Sequence, residues 1–116
     1  MSTLRVNTIQ NQPGTGAPSI DGLAKAWVNF NGTGTVSIRA AFNVSSITDN
    51  GTGQYRVNFT NALVDANYSS VATSQEYTAD AIGQAAKTTT QCSIWNVDSR
   101  SYSYVDTAGM NVAIFR

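Results

Sequence analysis

Histidine is absent from this chain, cysteine occurs once, and only 12% of the residues are charged. Without histidine the chain lacks the commonest general base and the commonest metal ligand, and one cysteine cannot build a zinc site. Cys92 therefore has no histidine to activate it, and its strand-like surroundings predict a small buried residue. Two of the seven acidic residues could still meet across a cleft, as in glycosidases. Most of them adjoin Gly, Asn or Ser, which favours turns, so we predict no enzyme, no catalytic residue, no metal and no cofactor.

Charge of either sign is too scarce and too scattered to mark an electrostatic partner. Seven basic and seven acidic residues sum to zero, and neither sign runs in a block. The sequence therefore predicts no nucleic-acid partner. It also predicts no membrane insertion, because no apolar run approaches the roughly 20 residues that span a bilayer. The first ten residues hold no apolar core of a signal peptide, so we expect synthesis in a cytoplasm.

Residues branched at Cβ dominate the apolar fraction, and they favour strands. Ten Val and seven Ile stand against three Leu. Apolar and polar residues alternate strongly in 24–30 and in 36–44, and the second stretch predicts one strand with a buried face and a wet face. An Asn-Gly pair at 50–51 predicts a hairpin, and the alternation after it predicts a strand over 54–60. Further strands are predicted over 68–75, 92–97, 101–106 and 110–115, whereas Gly83 and the threonine run predict a long exposed loop over 78–90.

These signals predict an all-β fold, either an antiparallel sandwich or a small barrel. We favour a compact antiparallel β-sandwich, jelly-roll-like, of about seven strands. Both prolines and two glycines lie between residues 11 and 18, which indicates a linker. We therefore expect an extended N-terminal arm and linker over 1–23 and a sandwich domain over 24–116.

Two groups of residues are predicted to touch partners. The arm has apolar side chains in alternation, and Trp27 lies opposite the apolar face of its strand; Leu4, Val6, Ile9 and Trp27 are therefore the expected interface. A frayed terminus is the alternative for the arm. Outward aromatic residues line interfaces or stack on sugars, although a second packed layer would also explain them. Ligand or partner contact is assigned to Trp95 and to a predicted polar, aromatic hairpin with Arg100, Tyr102 and Tyr104, in which the two tyrosines share a strand face.

Most of the chain resembles a module of tail-fibre-type proteins of tailed phages, especially those of cyanobacteria. The resemblance rests on KAWVNFNGTGT at 25–35, FNVSSITDNGTG at 42–53, VNFT at 57–60 and DANY at 65–68. Weaker support comes from STLRVNTIQ at 2–10 and MNVAIF at 110–115.

The resemblance implies a virion protein on the tail or particle surface, a homotrimer that contacts host-surface polysaccharide or other virion proteins. Only about 23 residues precede the module, so a tail tip, an adaptor or a capsid decoration protein is expected in place of a complete fibre. A free-standing lectin-like carbohydrate-binding domain is the competing hypothesis.

Overall fold

A computed structural model describes residues 2–7, 22–75 and 80–116, with the backbone alone for 80–85. Its strands are β1 Ala24–Asn31, β2 Ser37–Phe42, β3 Val44–Gly51, β4 Gln54–Phe59, β5 Ser69–Ser74, β6 Asp80–Lys87, β7 Gln91–Asp98, β8 Ser103–Tyr104 and β9 Met110–Phe115. These residues contain no helix. The predicted all-β class is thereby confirmed.

The strands form two antiparallel sheets. Sheet A has the order β2-β1-β9-β5, and sheet B has the order β3-β4-β7-β6. The short strand β8 pairs with the end of β7, where Val97 lies opposite Tyr104. All of these pairs are antiparallel, so the predicted antiparallel β-sandwich is confirmed, with about nine strands in place of seven.

The core lies between the sheets and follows the period of two in the central strands. Every second residue of β1, β4 and β9 is buried, as expected where one face of a strand packs inward. Phe30 on sheet A and Tyr55 on sheet B meet edge to face, with ring centroids 5.2 Å apart. The core residues are Ala26, Val28, Phe30, Tyr55, Val57, Phe59, Tyr68, Cys92, Ile94, Met110, Val112 and Ile114. The prediction that Cys92 is buried is thus confirmed.

The prediction of one strand over 36–44 is wrong, because the chain changes sheets at Asn43. This residue has a positive φ of 55°, which ends β2 in sheet A and starts β3 in sheet B. The side-chain Nδ2 of Asn43 donates to the backbone carbonyl of Lys25 at 3.0 Å, and its Oδ1 accepts from the backbone N–H of Asn61 at 2.8 Å. The predicted buried face is also lost: β2 is an edge strand whose residues are all exposed, Phe42 among them.

Two further predictions need correction. The loop predicted over 78–90 is largely strand, since β6 pairs with β7 from Asp80 to Lys87. The backbone hydrogen bonds that this segment makes to the central strand β7 outweigh the weak preference of Gly83 against strand structure. The strand predicted over 101–106 shrinks to the two residues of β8, because Tyr102 takes a positive φ of 56° within the preceding turn.

A hydrogen-bonded cluster around Asp106 fastens the loop before β9 to the core. Asp106 Oδ1 accepts from the hydroxyl of Tyr55 at 2.9 Å and from the N–H of Gly53 at 2.7 Å. The Tyr55 hydroxyl also lies 3.0 Å from the carbonyl oxygen of Gly32. Buried polar groups need such partners, so this cluster joins the two turns and the loop at one end of the sandwich.

Candidate functional site

The outer face of sheet A carries a row of apolar side chains across its four strands. Cross-strand register places Trp27 opposite Phe42 on one side and opposite Ala113 on the other, and Ala113 in turn opposite Val71. Directly opposed residues point to the same face of a sheet. Trp27, Phe42 and Val71 are 40%, 41% and 55% exposed. We call Phe42, Trp27, Ala113 and Val71 the Trp27 row.

A row of amides and hydroxyls lies beside the Trp27 row. Asn29 pairs in register with Asn111, which pairs with Thr73. Asn29 Nδ2 donates to Asn111 Oδ1 at 2.5 Å, and Asn29 Oδ1 accepts from Arg39 at 3.4 Å. Arg39 also donates to the carbonyl of Ala108. We call Asn29, Asn111 and Thr73 the amide row; hydrogen bonds hold the side chains of its two asparagines.

On the outer face of sheet A, the two rows form an open, shallow groove of about 380 Å³ over β9. Its floor is low because Ala113 has a small side chain, while the side chains of Trp27 and Val71 lie on either side. The groove is lined by Trp27, Val28, Asn29, Val71, Thr73, Asn111, Val112 and Ala113. We call it the sheet A groove.

Trp95 and Tyr104 form a second aromatic site on the outer face of sheet B. Their rings meet edge to face, with centroids 6.2 Å apart. Gln54 lies opposite Trp95, and Arg56 lies opposite Ser93, so both share that face. Arg56 Nε is buried and has no hydrogen-bond partner among the described residues. We call this group the Trp95 face.

Arg100 and Tyr102 lie in the turn between β7 and β8, next to the Trp95 face. Asp98 Oδ1 accepts from the N–H of Arg100 at 2.9 Å, and that bond lowers the pKa of the Asp98 carboxyl. The N–H of Tyr102 donates to the carbonyl of Asp98 at 2.7 Å. Tyr102 is 87% exposed. The prediction that Tyr102 and Tyr104 share one strand face is wrong, because only Tyr104 belongs to β8.

The predicted arm residues are only partly described. Residues 2–7 have no regular secondary structure, and Leu4 and Val6 are 85% and 51% exposed. Ile9 lies outside the described residues. Both described apolar side chains of the arm are therefore available to a partner.

The sulfhydryl group of Cys92 is poorly placed for nucleophilic chemistry. The residue is fully buried, and burial raises the pKa of its thiol, which keeps it protonated at neutral pH. Lys87 Nζ lies nearby, where it donates to the carbonyl of Tyr68 at 2.9 Å and stands 5.3 Å from the centroid of its ring. These contacts fix the start of β5 against the end of β6.

Among residues 2–7, 22–75 and 80–116, no three His, Cys, Asp or Glu side chains come together as a metal site would require. No helix in that part of the chain is long and apolar enough to cross a membrane.

The sequence pointed to Trp27 and Trp95 but not to the residues around them. Phe42 was expected in the core, and Val71, Asn111, Gln54 and Arg56 were not singled out. Alternation shows on which side of its own strand a residue lies, whereas the neighbours of that residue depend on how distant strands pair.

Comparison of the chain with protein-family models, with curated protein sequences and with solved structures finds no match.

Proposed function

We propose that this chain is a structural protein of a tailed-phage virion, a tail-fibre or tail-tip/adaptor module that assembles as a homotrimer and contacts the host surface. The carrying observation is the Trp27 row, a continuous apolar row on the outside of the sandwich. Exposed apolar patches on soluble proteins mark sites of association. The sequence resemblance supports the virion, and capsid decoration is the alternative form of this role.

Composition supports the same proposal. Zero net charge provides little repulsion between copies. The chain contains 12 serines, 14 threonines and 11 asparagines. Their side chains provide hydrogen-bonding groups without the desolvation cost of buried charge. Such a surface suits packing against other virion proteins or host polysaccharide. The proposed location is the tail or particle surface, after synthesis in the host cytoplasm.

Native mass tests the assembly, and Trp27→Asp tests its surface. A trimer of 12.3 kDa chains has a mass of about 36.9 kDa, which light scattering after size exclusion should report independently of concentration. Trp27→Asp should reduce the mass to that of one chain, because it places a charge inside an apolar contact. The matched control is Trp95→Asp on sheet B, which should keep the full mass. A trimeric Trp27→Asp protein would remove the Trp27 row from the interface.

The virion role has its own test. Mass spectrometry of phage particles purified from a strain that encodes this chain should detect it at stoichiometric amounts, and antibody labelling should place it on the tail or capsid surface. A chain found only in the soluble lysate would contradict the virion proposal, whatever its native mass.

The Trp95 face supports the second candidate, a lectin-like carbohydrate-binding domain. Its indole ring is only partly buried and has an amide and a guanidinium on the same face. Aromatic rings with one apolar and one polar side suit contacts with partners that are both apolar and hydroxylated.

Binding of isolated protein to a glycan array separates this candidate from the first. If the lectin proposal holds, Trp95→Ala should weaken glycan binding at least about ten-fold, or about 1.4 kcal/mol, while Trp27→Ala leaves it unchanged. Equal loss in both variants, or no binding by the unaltered chain, would count against a saccharide site at Trp95.

A further inference from the structure

The sheet A groove is a shallow, largely apolar surface at which Trp27 and Val71 remain 40% and 55% exposed among the described residues. Trp27 and Val71 form its two sides, and the small side chain of Ala113 leaves the space between them open. A narrow extended segment would fit along this space.

The amide row gives the groove polar groups that suit a backbone. In the described part of the chain, Asn111 Nδ2 and the hydroxyl of Thr73 have no hydrogen-bond partner, while Asn111 Oδ1 is held by Asn29. An extended segment has unpaired N–H and C=O groups that seek such partners. Along the strands, the groove thus passes from an apolar part formed by the Trp27 row to a polar part formed by the amide row.

The arm has the chemistry that this groove requires. Leu4 and Val6 are two residues apart, so in an extended chain both side chains point to the same side. Both are exposed in the structure, and Leu4 is 85% exposed. On the other side of the arm, Arg5 and Asn7 are polar and would remain in water.

Chain length allows the arm to reach a groove on another copy. Sixteen residues, 8–23, separate the described arm from Ala24 at the start of β1, a reach of up to about 53 Å. Trp27 lies only three residues into β1, about 10 Å along the strand. Folding back over that distance needs a connection of a few residues, since turns between neighbouring strands are usually 2–5 residues long.

We propose that the arm of one protomer, through Leu4 and Val6, occupies the sheet A groove of a neighbouring protomer. This inference rests on the proposed function, because it requires that the chain assemble. The occupant of the sheet A groove is then the extended arm of a second copy. Each subunit places its arm on the next one.

Paramagnetic broadening in mixed samples tests the placement directly. A nitroxide is attached to Ser2→Cys in full-length chain; the native thiol of Cys92 is fully buried and so protected from labelling. These chains carry no ¹⁵N and are mixed with ¹⁵N-labelled chains that lack the nitroxide. We expect loss of amide signal at Val71, Thr73, Asn111 and Ala113. An unbroadened groove would overturn the proposal.

A second sample separates a neighbour's arm from the chain's own arm. Here the nitroxide and ¹⁵N are on the same chain, diluted into a large excess of unlabelled chain. Broadening of the groove in this sample, with none in the mixed sample, would place the arm on its own sandwich and overturn the exchange between copies.

Variants of the arm complete the test without disturbing the core. Leu4→Ser with Val6→Ser should lower the native mass from that of the trimer to that of a single chain. Arg5→Ser with Asn7→Ser changes the opposite side of the same arm and should leave the mass unchanged. A trimer that survives the first pair would overturn the arm placement and leave the proposed assembly intact. An unaltered chain that is monomeric at every concentration would overturn both.

Discussion

Gly53→Ala is expected to destabilise the fold by roughly 2–5 kcal/mol, from backbone strain and overpacking together. Gly53 has a φ of +64°, a conformation that costs alanine about 1–2 kcal/mol. An added Cβ would also lie 2.6 Å from the carbonyl oxygen of Asn96 and 2.7 Å from the nitrogen of Val105. Relief of that overlap would move backbone that β7 and β8 hold by hydrogen bonds, at about 1–3 kcal/mol.

The same turn chemistry elsewhere in the chain provides the matched control. Gly34 has a φ of +58°, and no atom lies within 4 Å of an added Cβ. Gly34→Ala should therefore cost only the conformational term, about 1–2 kcal/mol. Urea unfolding followed by circular dichroism gives both free energies of unfolding. Equal decreases in the free energy of unfolding for Gly53→Ala and Gly34→Ala would show that crowding around the added Cβ at Gly53 does not contribute to the destabilisation.

Stability should fall steeply in alkali, because two core tyrosines resist ionisation. Burial first, then the carboxylate of Asp106, raises the pKa of Tyr55; burial first, then Cys92, raises that of Tyr68. The unfolded chain releases both protons near pH 10.0, whereas the folded chain retains them. Their contribution is complete below pH 10 and is lost as pH rises above it. The expected loss from the two tyrosines is about 2.8 kcal/mol per pH unit, about 1.4 for each.

Single substitutions assign this slope to its two sources. Tyr55→Phe and Tyr68→Phe should each reduce the pH dependence by about 1.4 kcal/mol per unit. Tyr55→Phe also removes the hydrogen bond to Asp106 and should cost about 1 kcal/mol at neutral pH. The buried thiol of Cys92, whose pKa is also raised, adds to the alkaline loss in the same direction. Urea unfolding between neutral pH and about pH 12 measures the slope; an unchanged slope in both variants would contradict the assignment.

The sequence predicted the central strands well and the edges poorly. β1, β4 and β9 have neighbours on both sides and a buried face, so their alternation is determined by the core. β2 has the strongest alternation of all, yet it lies at an edge and all its side chains are exposed. The change of sheet at Asn43 was not visible either, because it depends on hydrogen bonds to Lys25 and Asn61, both 18 residues away.

The candidate site was predictable one residue at a time. Trp27 and Trp95 were recognised as outward-facing, but the groove beside Trp27 arises from strands distant in sequence. Ala113 and Val71 look ordinary in the sequence, and only the pairing of β9 with both β1 and β5 brings them beside Trp27. Local patterns carry no information on such long-range register.

The position of β9 in the middle of sheet A also affects the order of events during synthesis. β1 emerges from the ribosome first and β5 later, but the two are joined in one sheet only when β9, which pairs with both, has been made. Ala113, the floor of the sheet A groove, arrives with that strand. Chains that lack β9 therefore lack the sheet A groove, and under the proposed assembly they would be unable to receive a neighbour's arm before that strand is made.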